Sequence, residues 1–135
     1  MEEITEKKCI ELTKKRFPKF LPYWSSYIRD FGPDLGITIQ MIPLEEYTVD
    51  TIKAHSEREI KEIFDFVEFL LTKGNQSVQT AITTSYLESL MILDPDEIKF
   101  RWFVKFLGPH TLEYCRAWDK FTGVRTDGLW DEEVI

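Results

Sequence analysis

The stretch from Ser56 to Gly123 constrains this chain most, because helix caps and apolar periodicity fall there in register. Ser56-x-x-Glu59 has the form of a capping box, in which a hydroxyl and a carboxylate satisfy the free amides of a first helical turn. Behind it, Ile60, Ile63, Phe64, Val67, Leu70 and Leu71 recur at helical spacing, with Glu57, Lys61, Asp65 and Glu68 on the opposite face. Gly74 is placed to end that helix as a C′ glycine. A second helix is predicted over about 77–93, with Val78, Ile82, Tyr86 and Leu90 on one side. Its Ala81, Ser85 and Ser89 form a stripe of small residues that another helix can approach. Asp94-Pro95-Asp96-Glu97 supplies an N-cap, a first-turn proline and an acidic N3 for a third helix, which runs to Leu107 and stops at Gly108. Pro109 restarts a fourth, over about 110–122, with Leu112, Cys115, Trp118 and Phe121 inward and Gly123 at its end. Short connections make successive helices antiparallel neighbours.

The first half is less regular. Residues 2–16 read as an amphipathic helix with Ile4, Cys9 and Leu12 towards one side. A helix from Pro22 carries Tyr23, Trp24, Tyr27 and Ile28 up to Gly32-Pro33. Residues 34–46 read as irregular, and β-branched Ile37-Thr38-Ile39 suits a short extended segment. Tyr47–His55 leans towards helix. The expected fold class is therefore all-α: five to six helices in antiparallel hairpins, arranged as a bundle or a short α-solenoid. A length of 135 residues fits a single domain, 1–135, with 124–135 as an irregular acidic tail.

Charge narrows the partners. Acidic residues number 24 against 17 basic ones, net −7, and no long basic block exists. That balance disfavours nucleic acid and anionic membrane as partners, and favours a basic macromolecule. Residues 44–74 carry net −4 and the tail net −3. No apolar run approaches the ~20 residues that span a bilayer. MEEITEKK is not a signal peptide, so the expected compartment is the cytoplasm, with Cys9 and Cys115 reduced.

Chemistry-bearing residues are few. His55 and His110 lack metal-site spacing and suit surface or cap positions. Cys115 and Cys9 read as buried and inert. Glu68 and Glu88, mid-helix in consecutive helices, could in principle form an acid–base or metal pair. Glu68 lies on a polar face, however, and Glu88 would pair with Arg116 or Arg101 if buried. The six glycines are dispersed, so no phosphate loop is present. Segment 96–107 is apolar nearly all round, with Ile98, Phe100, Trp102, Phe103, Val104, Phe106 and Leu107. It reads as a buried central helix, or as one that exposes a ring or two to a partner. Leu129-Trp130-Asp131-Glu132-Glu133 combines an aromatic anchor with acids, as either a frayed end or a binding element.

One resemblance rests on Glu62-x-Phe64-x-x-Val67-Glu68, Gly74-Asn75-x-x-Val78, Tyr86-Leu87-Glu88-x-Leu90, Phe106-Leu107-Gly108-Pro109, Tyr114 and Trp118-Asp119-x-Phe121. This pattern, covering about half the chain, resembles a small helical family of bacterial proteins akin to immunity proteins of polymorphic toxin and contact-dependent growth inhibition systems. The resemblance implies an all-helical protein, not an enzyme, that needs no cofactor or metal and neutralises a cognate toxin. A basic nuclease is the expected toxin, because nucleases grip phosphates. The residues expected to meet it are Asp127, Trp130, Asp131, Glu132 and Glu133, with Glu57, Asp65 and Glu68 as an acidic band. The alternatives are a helical scaffold or adaptor for another partner, and an enzyme using Glu68 and Glu88.

Overall fold

Helices and helical turns account for most of the chain between Glu6 and Thr122. The computed structural model describes residues 3–33 and 36–130. Helix α1 (Glu6–Arg16) is capped by Thr5, whose hydroxyl accepts from the Lys8 amide at 3.2 Å. Ile4 precedes the helix in an extended bridge: its amide donates to the Lys73 carbonyl and its carbonyl accepts from Asn75, both at 2.8 Å. A short 3₁₀ turn, Pro18–Phe20, leads into α2 (Leu21–Phe31).

The segment expected to be irregular is largely helical. α3 (Ile37–Gln40) and α4 (Ile42–Lys53) follow one another with only Met41 between them. Ile37-Thr38-Ile39 therefore does not form a strand. β-propensity mostly measures packing against strand neighbours, and no sheet is present among the described residues to supply them. Pro43 sits in the first turn of α4, where its missing N–H costs nothing.

Central α5 (Glu57–Lys73) buries Ile60, Ile63, Phe64, Phe66, Val67 and Leu70, and packs against α4 and the helices that follow. Ser56 is its N-cap but makes no side-chain capping bond, and Glu59 reaches to Lys19 at 2.7 Å instead of folding back. The capping box is thus absent although the helix begins where expected. Gly74 ends α5 with φ −74°, an ordinary extended value rather than a left-handed one. It is glycine for space: a Cβ there would lie 2.6 Å from both the Leu70 carbonyl and a Val78 methyl.

The next helical segment is continuous but changes pitch. α6 (Gln76–Thr80) opens into a π-helical stretch, Ala81–Leu87, and returns to α-helix as α7 (Glu88–Met91). The Thr83 and Thr84 hydroxyls take the Gln79 and Thr80 carbonyls, at 3.0 and 2.7 Å, and so compete with the regular ladder. Tyr86, fully buried in this stretch, shares a 2.8 Å hydrogen bond with Thr48 of α4.

The apolar run 96–107 is not a helix. Asp94 starts one turn, with its carbonyl accepting from Glu97 and Ile98, but Lys99 is extended and two 3₁₀ turns follow, Phe100–Trp102 and Val104–Phe106. A helix apolar on every side would need neighbours on every side. Broken into turns, the segment sends Ile98, Phe100 and Phe103 into the core and leaves Trp102, Val104, Phe106 and Leu107 half-buried. Phe103 stacks on Phe64, centroids 5.4 Å apart and rings parallel within 3°. Its χ-restricted aromatic and β-branched residues are also mediocre helix formers.

α8 (Pro109–Thr122) ends at Gly123, which adopts φ +81° as a left-handed cap. Its inward face differs from the expected one. Thr111, Cys115 and Asp119 are buried, Leu112 and Trp118 are half-buried, and Phe121 is 89% exposed. From Val124 to Trp130 no helix forms, but this stretch is not loose: Leu129 and Trp130 join the core at 1% and 7% exposure.

Candidate functional site

The residues expected to bind a partner are spread over several places. Glu68 leaves the solvent face and reaches the start of α8. Its Oε1 accepts from the Thr111 amide at 2.9 Å and the Thr111 hydroxyl at 3.0 Å; its Oε2 accepts from the His110 amide at 3.0 Å and contacts His110 Nδ1. This is an N-cap supplied by another helix, and it satisfies amides that α8 leaves free because Gly108 has no side chain to offer. Burial pushes the Glu68 carboxyl up, but the bonds from Thr111 and His110 outweigh it and hold the group below its ordinary value. Gly108 leaves the room this contact takes: a Cβ would lie 2.5 Å from the Glu68 Cγ, Cδ and Oε1.

Glu88 also turns to α8, but towards Tyr114, whose hydroxyl donates to it, rather than to Arg116 or Arg101. Burial, then the hydrogen bond to Glu88 and its charge, push the Tyr114 hydroxyl up to about 12. Arg101 instead clasps Asp127 with two bonds, 2.9 and 2.6 Å, which holds that carboxyl below its usual value. Glu57 pairs with Lys105 at 3.3 Å and Asp65 with Lys61 at 2.7 Å. The acidic band is thus partly neutralised by the chain's own bases. Asp131, Glu132 and Glu133 lie outside the described residues.

Trp130 does not stand out as an exposed anchor. Its indole N–H donates to Asp119 Oδ2 at 2.8 Å, and the Thr126 amide and hydroxyl each donate to the same carboxylate at 2.7 Å. Asp119 is 2% exposed, so these three bonds satisfy a buried charge and fasten residues 126–130 to α8. The cations of Arg116, Lys120 and Arg125 each lie within 5.6 Å of the Trp130 ring centre.

Burial pushes the Cys9 thiol up to about 11 and the Cys115 thiol up to about 12, so neither is a thiolate at neutral pH. His110 is in the first turn of α8, and His55, with φ +56°, meets the Trp102 ring edge-on at 5.0 Å. Among the described residues no three His, Cys, Asp or Glu side chains converge as a metal site. No helix among them is long and apolar enough to cross a membrane.

Sequence reasoning missed the loop after α7. Because Asp94 does not open a helix, Ile92 is left 69% exposed beside exposed Asp94, Asp96 and Glu97. Asp94 Oδ1 accepts the Asp96 amide at 2.9 Å, which shapes the turn, and among the described residues only Glu97 of the three meets a base, Lys53 at 3.6 Å. The signal was the composition itself, which read equally well as a helix start.

An all-α domain whose helix α8 is capped by the partly buried Glu68 and anchored to residues 126–130 through buried Asp119, with an apolar-tipped acidic loop on its surface, is the class these features define. The chain belongs to the domain-of-unknown-function family DUF7674, which matches residues 10–123. The match contains Glu68, Gly108, Thr111 and the 92–97 loop, and stops short of Trp130. No curated protein and no solved structure matches the chain.

Proposed function

We propose that this protein is a cytoplasmic immunity protein that binds a basic bacterial toxin, such as a nuclease, and blocks its site. The observation that carries the reading is the 92–97 loop. There an exposed aliphatic side chain, Ile92, stands beside three exposed carboxylates, two of which meet no base among the described residues. An apolar anchor amid unneutralised acids suits a cationic cleft, where the carboxylates take the place of phosphates and steer association. The net charge of −7 adds a long-range attraction of the same sign. The resemblance over residues 56–123 supplies the toxin context.

The test is capture of the product of the adjacent gene by the intact protein, followed by association kinetics with D94N/D96N/E97Q. Slower association at low salt, converging with the wild type at high salt, supports the reading. Failure to bind that product, or an unchanged rate, opposes it. A helical adaptor for some other partner is the second reading, favoured by the bare ring of Phe121 at the end of α8.

A further inference from the structure

The end of α8 has the opposite character from the 92–97 loop. Arg116, Lys120 and Arg125 surround the Trp130 ring, their cationic centres 5.6, 5.5 and 5.4 Å from its centroid. Among the described residues neither Lys120 nor Arg125 forms an ion pair. Asp119, on the same turn of α8, is buried and occupied by Thr126 and Trp130. Glu113 borders the adjoining groove with Arg116 and Lys120. A groove of about 450 Å³ opens here, lined by Asp119, Lys120, Gly123, Val124, Arg125 and Trp130. Phe121, 89% exposed, projects from the same last turn, and Val124 is 48% exposed.

Three cations thus gather around one ring on a protein of net −7. The π-face holds them together, and the bonded Asp119 beneath keeps the ring fixed. A cationic rim around an aromatic floor, with the exposed Phe121 on the same helical turn, matches the composition of interface hot spots, which are rich in aromatics and Arg. We propose that this surface docks an acidic segment of a partner protein, one that presents carboxylates to Lys120 and Arg125 and an apolar side chain to Phe121. A polynucleotide fits less well, because its long run of phosphates would meet the chain's overall negative field. A short acidic segment feels chiefly the charges within the ~8–10 Å Debye length. The inference is independent of the toxin reading: it concerns another surface and a partner of opposite charge.

The experiment is a two-dimensional amide NMR titration of the whole protein at about 50 mM salt, where surface charges are only partly screened. Three probes are used: a peptide of glutamates around one leucine, its glutamine counterpart, and a single-stranded oligonucleotide. The glutamate peptide is expected to shift the amides of residues 120–126 and the Trp130 indole N–H, and the glutamine peptide is not. K120E/R125E should weaken that binding about tenfold or more, and F121A should weaken it severalfold, with the spectrum elsewhere unchanged. The proposal is overturned if no shifts appear, if they centre elsewhere, if K120E/R125E binds as well as the wild type, or if the oligonucleotide binds more tightly than the peptide.

Discussion

Glu68 of α5 caps the N-terminus of α8 by accepting both the amide and the hydroxyl of Thr111, at 2.9 and 3.0 Å. The two residues are 43 positions apart, so one carboxylate both terminates a helix and fixes the angle at which it docks. Glu68→Ala should therefore lower unfolding stability by about 2 kcal/mol, the combined scale of a lost cap and of hydrogen bonds to a charged group. Glu68→Gln should also destabilise, because its amide NH₂ would face donors. Urea unfolding reads both variants, and an unchanged midpoint would show that the cap contributes nothing.

The same contact sets a pH dependence. Hydrogen bonding holds the folded Glu68 carboxyl below its ordinary value despite burial. A depressed carboxyl pKa contributes stability that is present above the unfolded value and lost as pH falls through the folded one. The stability gap between wild type and Glu68→Gln should thus hold down to the ordinary glutamate value, about 4.3, and shrink as pH falls below it. Unfolding followed across that range checks it; a gap that widened in acid would reverse the sign.

Gly108→Ala should destabilise by about 1–3 kcal/mol, as overpacking does. The added Cβ would fall 2.5 Å from Glu68 atoms whose position four hydrogen bonds hold. Gly123→Ala should cost about 1 kcal/mol for a different reason, its φ of +81°, since open space surrounds it. If Gly108→Ala melts with the wild type, Glu68 has another place to go.

Trp130, not Trp118, should be the costly tryptophan on this side of the fold. Trp130→Ala removes a ring that is 7% exposed and one of the donors to buried Asp119, so a loss of about 3 kcal/mol or more is expected. Trp118 is half-buried, and its replacement by Ala should cost clearly less. Deleting residues 127–135 is consequently not a neutral trim: it removes Leu129 and Trp130 from the core. Thermal melts of the three variants give the order directly.

Both cysteines should resist a thiol reagent in the native state and react together once the chain unfolds. Each is buried, and burial raises each thiol, to about 11 for Cys9 and about 12 for Cys115. Rapid modification of the native protein by a disulfide reagent would contradict both placements.

Local periodicity was enough to locate α5, the helix after Gly74, and α8, because an apolar stripe every three to four residues buries itself only as a helix. Caps were legible as boundaries but not as contacts: Ser56 starts α5 without bonding, and the bond that matters at α8 comes from Glu68. Periodicity is a property of neighbours in sequence, whereas the partner of a free helix amide is whatever the fold brings near. Segment 96–107 shows the limit from the other direction. Its residues say only that most must be covered, and covering them from one side meant breaking the helix so that Phe100 and Phe103 could reach the core. The tail was similar: composition marked it as acidic and Trp-bearing, but a buried Asp119, needing donors, drew Thr126 and Trp130 inward and gathered three cations around the ring. The sequence by itself determined that the chain is helical, where its main helices lie, and that it is acidic. Only the tertiary structure decided which carboxylates face solvent, because a charge far from water must be satisfied by groups distant in the chain.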